Sequence, residues 1–201
     1  MKKSLSKVVL ATMLATVPLV ADNYSYDTYS LFAIEGGATN VDIERDDAGN
    51  IDVDKTNLPN IGLKIGAQGN DFRAFLSARY YNADDFSKLI TAGGELQYLF
   101  NFSKAANFFI GANAGQAFIK VGADSDKNIP SMDTTSMYYG GDAGFNIHAT
   151  ELIDIEIGAK YMALDVNENR DDGTGTSTLV NFKMDSMVTA YASVIFKWQM
   201  N

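Results

Sequence analysis

Residues 186–198 read S-M-V-T-A-Y-A-S-V-I-F-K-W. Val188, Ala190, Ala192, Val194, Phe196 and Trp198 fall on one face of an extended chain, and Thr189, Tyr191, Ser193 and Lys197 on the other, with Ile195 the exception. Side chains alternate across a strand, so this is a ribbon with one oily and one polar side. The same period recurs upstream over residues 29–43, 51–68, 72–81, 89–102, 108–121, 137–148 and 152–164. In 152–164, Ile153, Ile155, Ile157, Ala159 and Tyr161 oppose Asp154, Glu156, Gly158 and Lys160. In 89–102, Ile90, Ala92, Gly94, Leu96, Tyr98 and Phe100 oppose Thr91, Gly93, Glu95, Gln97 and Leu99. In 29–43, Phe32, Ile34, Gly36 and Ala38 oppose Glu35, after which Val41 and Ile43 are expected to face Ile51 and Val53 across a hairpin tip at 46–50. Gln116 and Ile119 blur the pattern late in the fifth segment.

Eight strands result. Short turns at 69–71, 103–107 and 149–151 follow the second, fourth and sixth; longer connections at 44–50, 82–88, 122–136 and 165–178 follow the odd-numbered ones. An even strand number with short turns at one end and longer loops at the other is the plan of a transmembrane β-barrel. The expected fold is all-β, an eight-stranded antiparallel up-and-down barrel over residues 22–201.

Residues 1–21 read as a signal peptide. Lys2, Lys3 and Lys7 precede an apolar run, and Leu19-Val20-Ala21 offers a cleavage site. Removing those lysines takes the net charge from −9 to −12, which argues against nucleic acid as a partner. The chain has no cysteine, so disulfides, thiolate chemistry and a lipoprotein anchor are excluded. No later stretch is apolar over about 18 residues, so a transmembrane helix is not expected. A closed barrel satisfies its own backbone and needs none.

A soluble lipocalin-like barrel also alternates, with its oily face inside. Three features favour lipid outside. Gly62, Gly66, Gly93, Gly111, Gly115, Gly140, Gly144 and Gly158 all fall on the polar face. Glycine weakens a strand unless something crowds it, as in a narrow lumen. The apolar face carries no charge in its membrane core. Its aromatics gather at the two ends: Phe32, Phe72, Phe100, Phe108, Phe145, Phe196 and Trp198 toward the short turns, Tyr80, Tyr139 and Tyr161 toward the long loops. Two aromatic girdles around an apolar band mark a membrane barrel.

On these residues the chain resembles the small eight-stranded outer-membrane barrels of the OmpA/OmpX type. The likeness is strongest in the last strand, where Val194, Phe196 and Trp198 match the terminal aromatic pattern of that family and Gln199-Met200-Asn201 extend beyond it. The resemblance implies a Gram-negative outer membrane, periplasmic termini and a monomer without a peptidoglycan-binding domain. It also implies recognition of the last strand by the assembly machinery, and contact with outer-membrane lipid and lipopolysaccharide.

The inward charges are the sharpest candidate site. Glu35, Glu95, Asp142 and Glu156 are acidic; Lys64, Arg73, Arg79 and Lys160 are basic. Buried charge must be paired. The expected pairs are Glu35 with Lys64, Glu95 with Arg79 or Arg73, and Asp142 with Lys160. They form either a plug filling the lumen or a narrow charged channel for small solutes. His148, the single histidine, falls at the short-turn end, away from the outer leaflet where the enzymes among such barrels keep theirs. No Ser-His-acid set is expected around it, and no enzyme activity. Residues 44–55 faintly resemble a calcium loop through Asp46, Gly49, Ile51 and Asp52, but Ala48 and Lys55 stand where oxygen ligands belong. No cofactor and no metal site is expected. The expected role is structural or at the cell surface, through acidic loops.

Overall fold

The computed structural model describes residues 28–47, 50–82, 88–121, 132–170 and 180–199, with side chains described outside 42–47, 50–55, 121, 132, 165, 167–170 and 180–182. The leader 1–21 lies outside these residues. Eight strands, β1 Tyr29–Asp47, β2 Asn50–Gln68, β3 Phe72–Tyr81, β4 Lys88–Phe100, β5 Ala106–Val121, β6 Met132–His148, β7 Ile153–Arg170 and β8 Val180–Gln199, form one closed antiparallel barrel in chain order. Closure is made by β8 against β1, from Tyr29↔Gln199 to Asp47↔Val180. Through the part of the wall that all eight strands share, closure pairs the backbone on both edges, whereas at the long-connection end β2 runs on over 50–59 without a partner on β3.

Strand lengths differ from the pattern-based bounds mainly at the long-connection end. β1 and β2 run on to Asp47↔Asn50, so their link is an extended hairpin rather than a long loop. In that ladder Val41 pairs with Thr56 and Ile43 with Asp54, not with Ile51 and Val53. β4 ends at Phe100, β6 starts at Met132 and β7 continues to Arg170. The wall is therefore uneven: β3 spans 10 residues and β8 spans 20. Between Val41 and Ile43 two residue steps of β1 oppose three of β8, from Met187 to Met184, which places a bulge in β8; at the same height three steps of β7, Ala163 to Val166, oppose two of β8. The bulge in β8 lets Met184 and Met187, three apart, both point inward, which strict alternation forbids.

Ile34, Leu63, Ile65, Leu76, Leu96, Ile110, Ile157 and Val194 are all exposed on the outer face. Between the aromatic rows that face bears no charged residue among the described side chains. A continuous apolar exterior of this extent is a surface for lipid.

The inward glycines explain themselves by packing. Gly144 and Gly158 face each other across β6 and β7. A Cβ on Gly158 would meet the Tyr191 ring and hydroxyl at 2.9 Å, and one on Gly144 would meet Phe109 at 2.8 Å. Each glycine is the floor on which a large ring from another strand lies. Gly158→Val is expected to displace Tyr191 and to cost about 1–3 kcal/mol. Urea unfolding in detergent micelles measures it, and an unchanged midpoint would remove this account of the glycines.

Candidate functional site

The inward side chains form layers along the barrel axis. In the middle are the eight predicted charges, all buried. Lys64 on β2 is the hub: its Nζ lies 2.6 Å from Glu35, 3.2 Å from Glu156 and 3.5 Å from Glu95. Each of these carboxylates holds a second cation. Glu35 accepts from Arg79 Nε at 2.7 Å. Glu156 is bridged by Arg73, and Glu95 by Lys160, with Arg79 3.8 Å away. The result is one connected chain, Arg73–Glu156–Lys64–Glu35–Arg79–Glu95–Lys160, rather than separate pairs. Aromatic faces complete it: Lys64 stands 4.7 Å from the Tyr191 ring centroid, and Arg73 is 5.2 Å from that of Phe75. A cation over a π face is attracted by the ring quadrupole.

Of the expected pairs, Glu35 with Lys64 and Glu95 with Arg79 form. Arg73 does not reach Glu95; it crosses the lumen to Glu156 and donates to Gln97 at 2.8 Å. Asp142 and Lys160 are register partners, yet Lys160 turns to Glu95, and Asp142 accepts from the Gln97 amide instead. Sequence reasoning missed Gln97 and the three rings Phe75, Phe109 and Tyr191. Their signal was their place on the polar face, where an aromatic needs a reason.

Apolar side chains close the layer on both sides. Toward the short turns, Leu31, Ala33, Phe75 and Ile195 form one cluster, and Leu99, Phe109 and Tyr191 another. Ile195 thus leaves the polar pattern because it packs inside. Toward the long connections lies a larger cluster that includes Val41, Leu58, Tyr81, Leu89, Ile119 and Met162, together with Met184 and Met187 of the bulge. Between it and the charges, Asn60 donates to Thr39, whose hydroxyl lies 2.7 Å from that of Thr189.

At the short-turn mouth, His148 does have an acidic partner. Its Nδ1 lies 2.9 Å from Asp154, which also accepts from Lys197 at 2.6 Å and Asn146 at 2.9 Å. The other ring nitrogen, Nε2, lies 3.4 Å from the Asn107 amide. No serine hydroxyl is among these ring contacts. The group ties β5, β6, β7 and β8 together at the short-turn end. The side chains of the calcium-like segment 44–55 and all of 48–49 lie outside those described; the backbone of 44–47 and 50–55 continues the β1–β2 ladder. Among the described residues no group of three His, Cys, Asp or Glu could hold a metal ion.

The predicted girdle residues all point outward. Phe72, Tyr98, Phe100, Phe108 and Phe145 form a continuous ring-to-ring belt over β3 to β6, with successive centroids 4.7–5.9 Å apart. Phe32 and Phe196 meet across the closing seam at 6.3 Å, with Trp198 exposed beside them. Tyr80, Tyr139 and Tyr161 are exposed toward the long connections. Tyr98 and Phe118 also face outward, Tyr98 in the belt and Phe118 toward the long connections.

The closed barrel superposes on known structures. Neisserial surface protein A (NspA) superposes with a TM-score of 0.57 at 16% identity, over 83% of this chain and 97% of that one. The fold is that of the small outer-membrane barrels. The outer membrane protein OprG from Pseudomonas aeruginosa gives 0.57 at 14% identity, covering 85% and 97%. The N-terminal β-barrel domain of Pseudomonas aeruginosa OprF gives 0.50 at 14%, covering 86% and 98%. Neither a family model nor a curated protein sequence matches the chain. At these identities the likeness is one of architecture, that of an outer-membrane-type barrel.

Proposed function

We propose that the chain is a monomeric, non-enzymatic barrel of a Gram-negative outer membrane, with periplasmic termini, acting at its outer rim rather than through its lumen. The observation that carries this reading is the lumen itself. A balanced layer of four acids and four bases is packed between apolar clusters above and below. Eight strands leave an interior just wide enough for side chains, and here side chains occupy it. A role at the surface is left to the long-connection end. The sequence places Asp84, Asp85, Asp124, Asp126, Asp171 and Asp172 there, an acidic rim suited to ligands or to lipopolysaccharide through divalent cations. The last strand, with Phe196 and Trp198 on its lipid face, is the element for the assembly machinery to read.

Conductance tests this. The refolded barrel is expected to be silent in a planar bilayer, with insertion confirmed by protease protection. Lys64→Ala/Glu95→Ala removes one charge of each sign from the centre and is expected to give conductance steps that the parent lacks. Steady conductance of the parent would overturn the plug and make the charged layer the lining of a narrow solute channel.

A further inference from the structure

The polar contacts inside the barrel fall into two classes. At the short-turn mouth the contacts are local. Asp154 of β7 is fully buried, and its three donors all lie on the strands paired to it: Asn146 and His148 on β6, Lys197 on β8. The backbone there is equally local. The Lys197 N–H donates to the Leu152 carbonyl, and those of Ala149 and Thr150 donate to the Ile153 carbonyl. Only the 3.4 Å approach of Asn107 to His148 reaches further, to β5. At the centre the contacts are distant. Glu156 of β7 is paired with Lys64 of β2 and Arg73 of β3, and Lys160 of β7 with Glu95 of β4. These groups face each other only across a closed lumen.

A carboxylate can be buried only with its donors in place. Asp154 meets that condition within β6–β8 alone, whereas Glu156 waits for cations from the far wall. Contacts between adjoining strands also cost less loop entropy than contacts that await closure. Asp142 completes the pattern. It stands directly opposite Lys160 across β6 and β7. In the finished barrel Lys160 bonds Glu95 instead, and Asp142 Oδ1 is buried without a hydrogen-bond partner. An orphaned oxygen of that kind costs stability. In an open sheet of β6–β8 there is no Glu95 to draw Lys160 away, and Asp142 is the carboxylate opposite it. We infer that β6, β7 and β8 form a preassembled unit, clamped by Asp154 at the mouth and by an Asp142–Lys160 pair at its centre, and that closure of the barrel transfers Lys160 to Glu95.

The test is the kinetics of the full barrel, folding from urea into lipid vesicles and unfolding in urea. Mobility of unheated samples on gels reports closure, and Trp198 fluorescence reports the last strand. Lys197→Met leaves Asp154 its two donors on β6. Asp142→Asn keeps the size of the side chain and an oxygen for Gln97. Each is expected to slow folding about tenfold and to change the unfolding rate less than about threefold. Lys64→Met, in the central chain, should do the reverse, with unfolding at least about tenfold faster and folding within about threefold of the parent. Lys197→Arg restores a donor and should fold at the parent rate. Asp142→Asn is the decisive variant, because a role confined to the finished barrel would appear in the unfolding rate. Unchanged folding with faster unfolding, in either Lys197→Met or Asp142→Asn, would overturn the preassembled unit. So would Lys64→Met slowing folding as much as those two variants do.

Discussion

Lys64→Met is expected to lower the unfolding free energy by about 3–5 kcal/mol, the usual cost of stranding a buried charge. Lys64 is fully buried and within 3.5 Å of three carboxylates. Methionine fills most of its volume, so the loss is electrostatic rather than a cavity. Three acids then share Arg73, Arg79 and Lys160, all buried among apolar clusters on both sides. The connected chain makes a second outcome specific. Glu95→Gln alone strands Lys160, which it bridges. Because both residues belong to one network, Lys64→Met/Glu95→Gln should differ from the sum of the singles by about 0.5–3 kcal/mol. Urea unfolding in lipid vesicles, followed through the single tryptophan Trp198, measures all three. A strictly additive cycle would mean that the charges act as isolated pairs.

Ile157→Arg is expected to cost about 2–4 kcal/mol, the penalty for arginine near the bilayer midplane of a barrel. Ile157 is 56% exposed, midway along the outward run of β7, between Phe145 on β6 and Ala192 on β8. In water an arginine at so exposed a position would be nearly neutral. In lipid it must be desolvated or drag water with it. The same substitution thus separates a membrane barrel from a soluble one, and unfolding in vesicles reads the difference. Lys104→Ala, in an exposed turn, should stay within about 0.5 kcal/mol of the parent. A neutral Ile157→Arg would place the apolar face out of lipid.

The residues by themselves determined the strand number, the direction each face looks, the short turns and the girdles. Those features are written in a period of two, and lipid enforces that period wherever one face must be apolar. β3 was legible to its ends, Phe72–Tyr81, because alternation and turn residues bound it on both sides. Outside the membrane the enforcement stops. The β1–β2 hairpin, the end of β7 and the start of β8 carry polar residues on both faces, and pairing alone holds them extended. The apparent start of the last strand at Ser186 is where the bulge against β1 breaks the period, with Met184 and Met187 both inside.

The charged site was legible as a set but not as a network. Sequence shows which side chains point inward and which are neighbours along a ladder. Asp142 beside Lys160 was the natural pair on that basis. Only closure brings β2, β3 and β4 within reach of β7, so that Arg73 meets Glu156 and Lys160 meets Glu95 across the lumen. A long cation in a narrow barrel has the whole cross-section to choose from, and the geometry of that cross-section exists only once the sheet has closed.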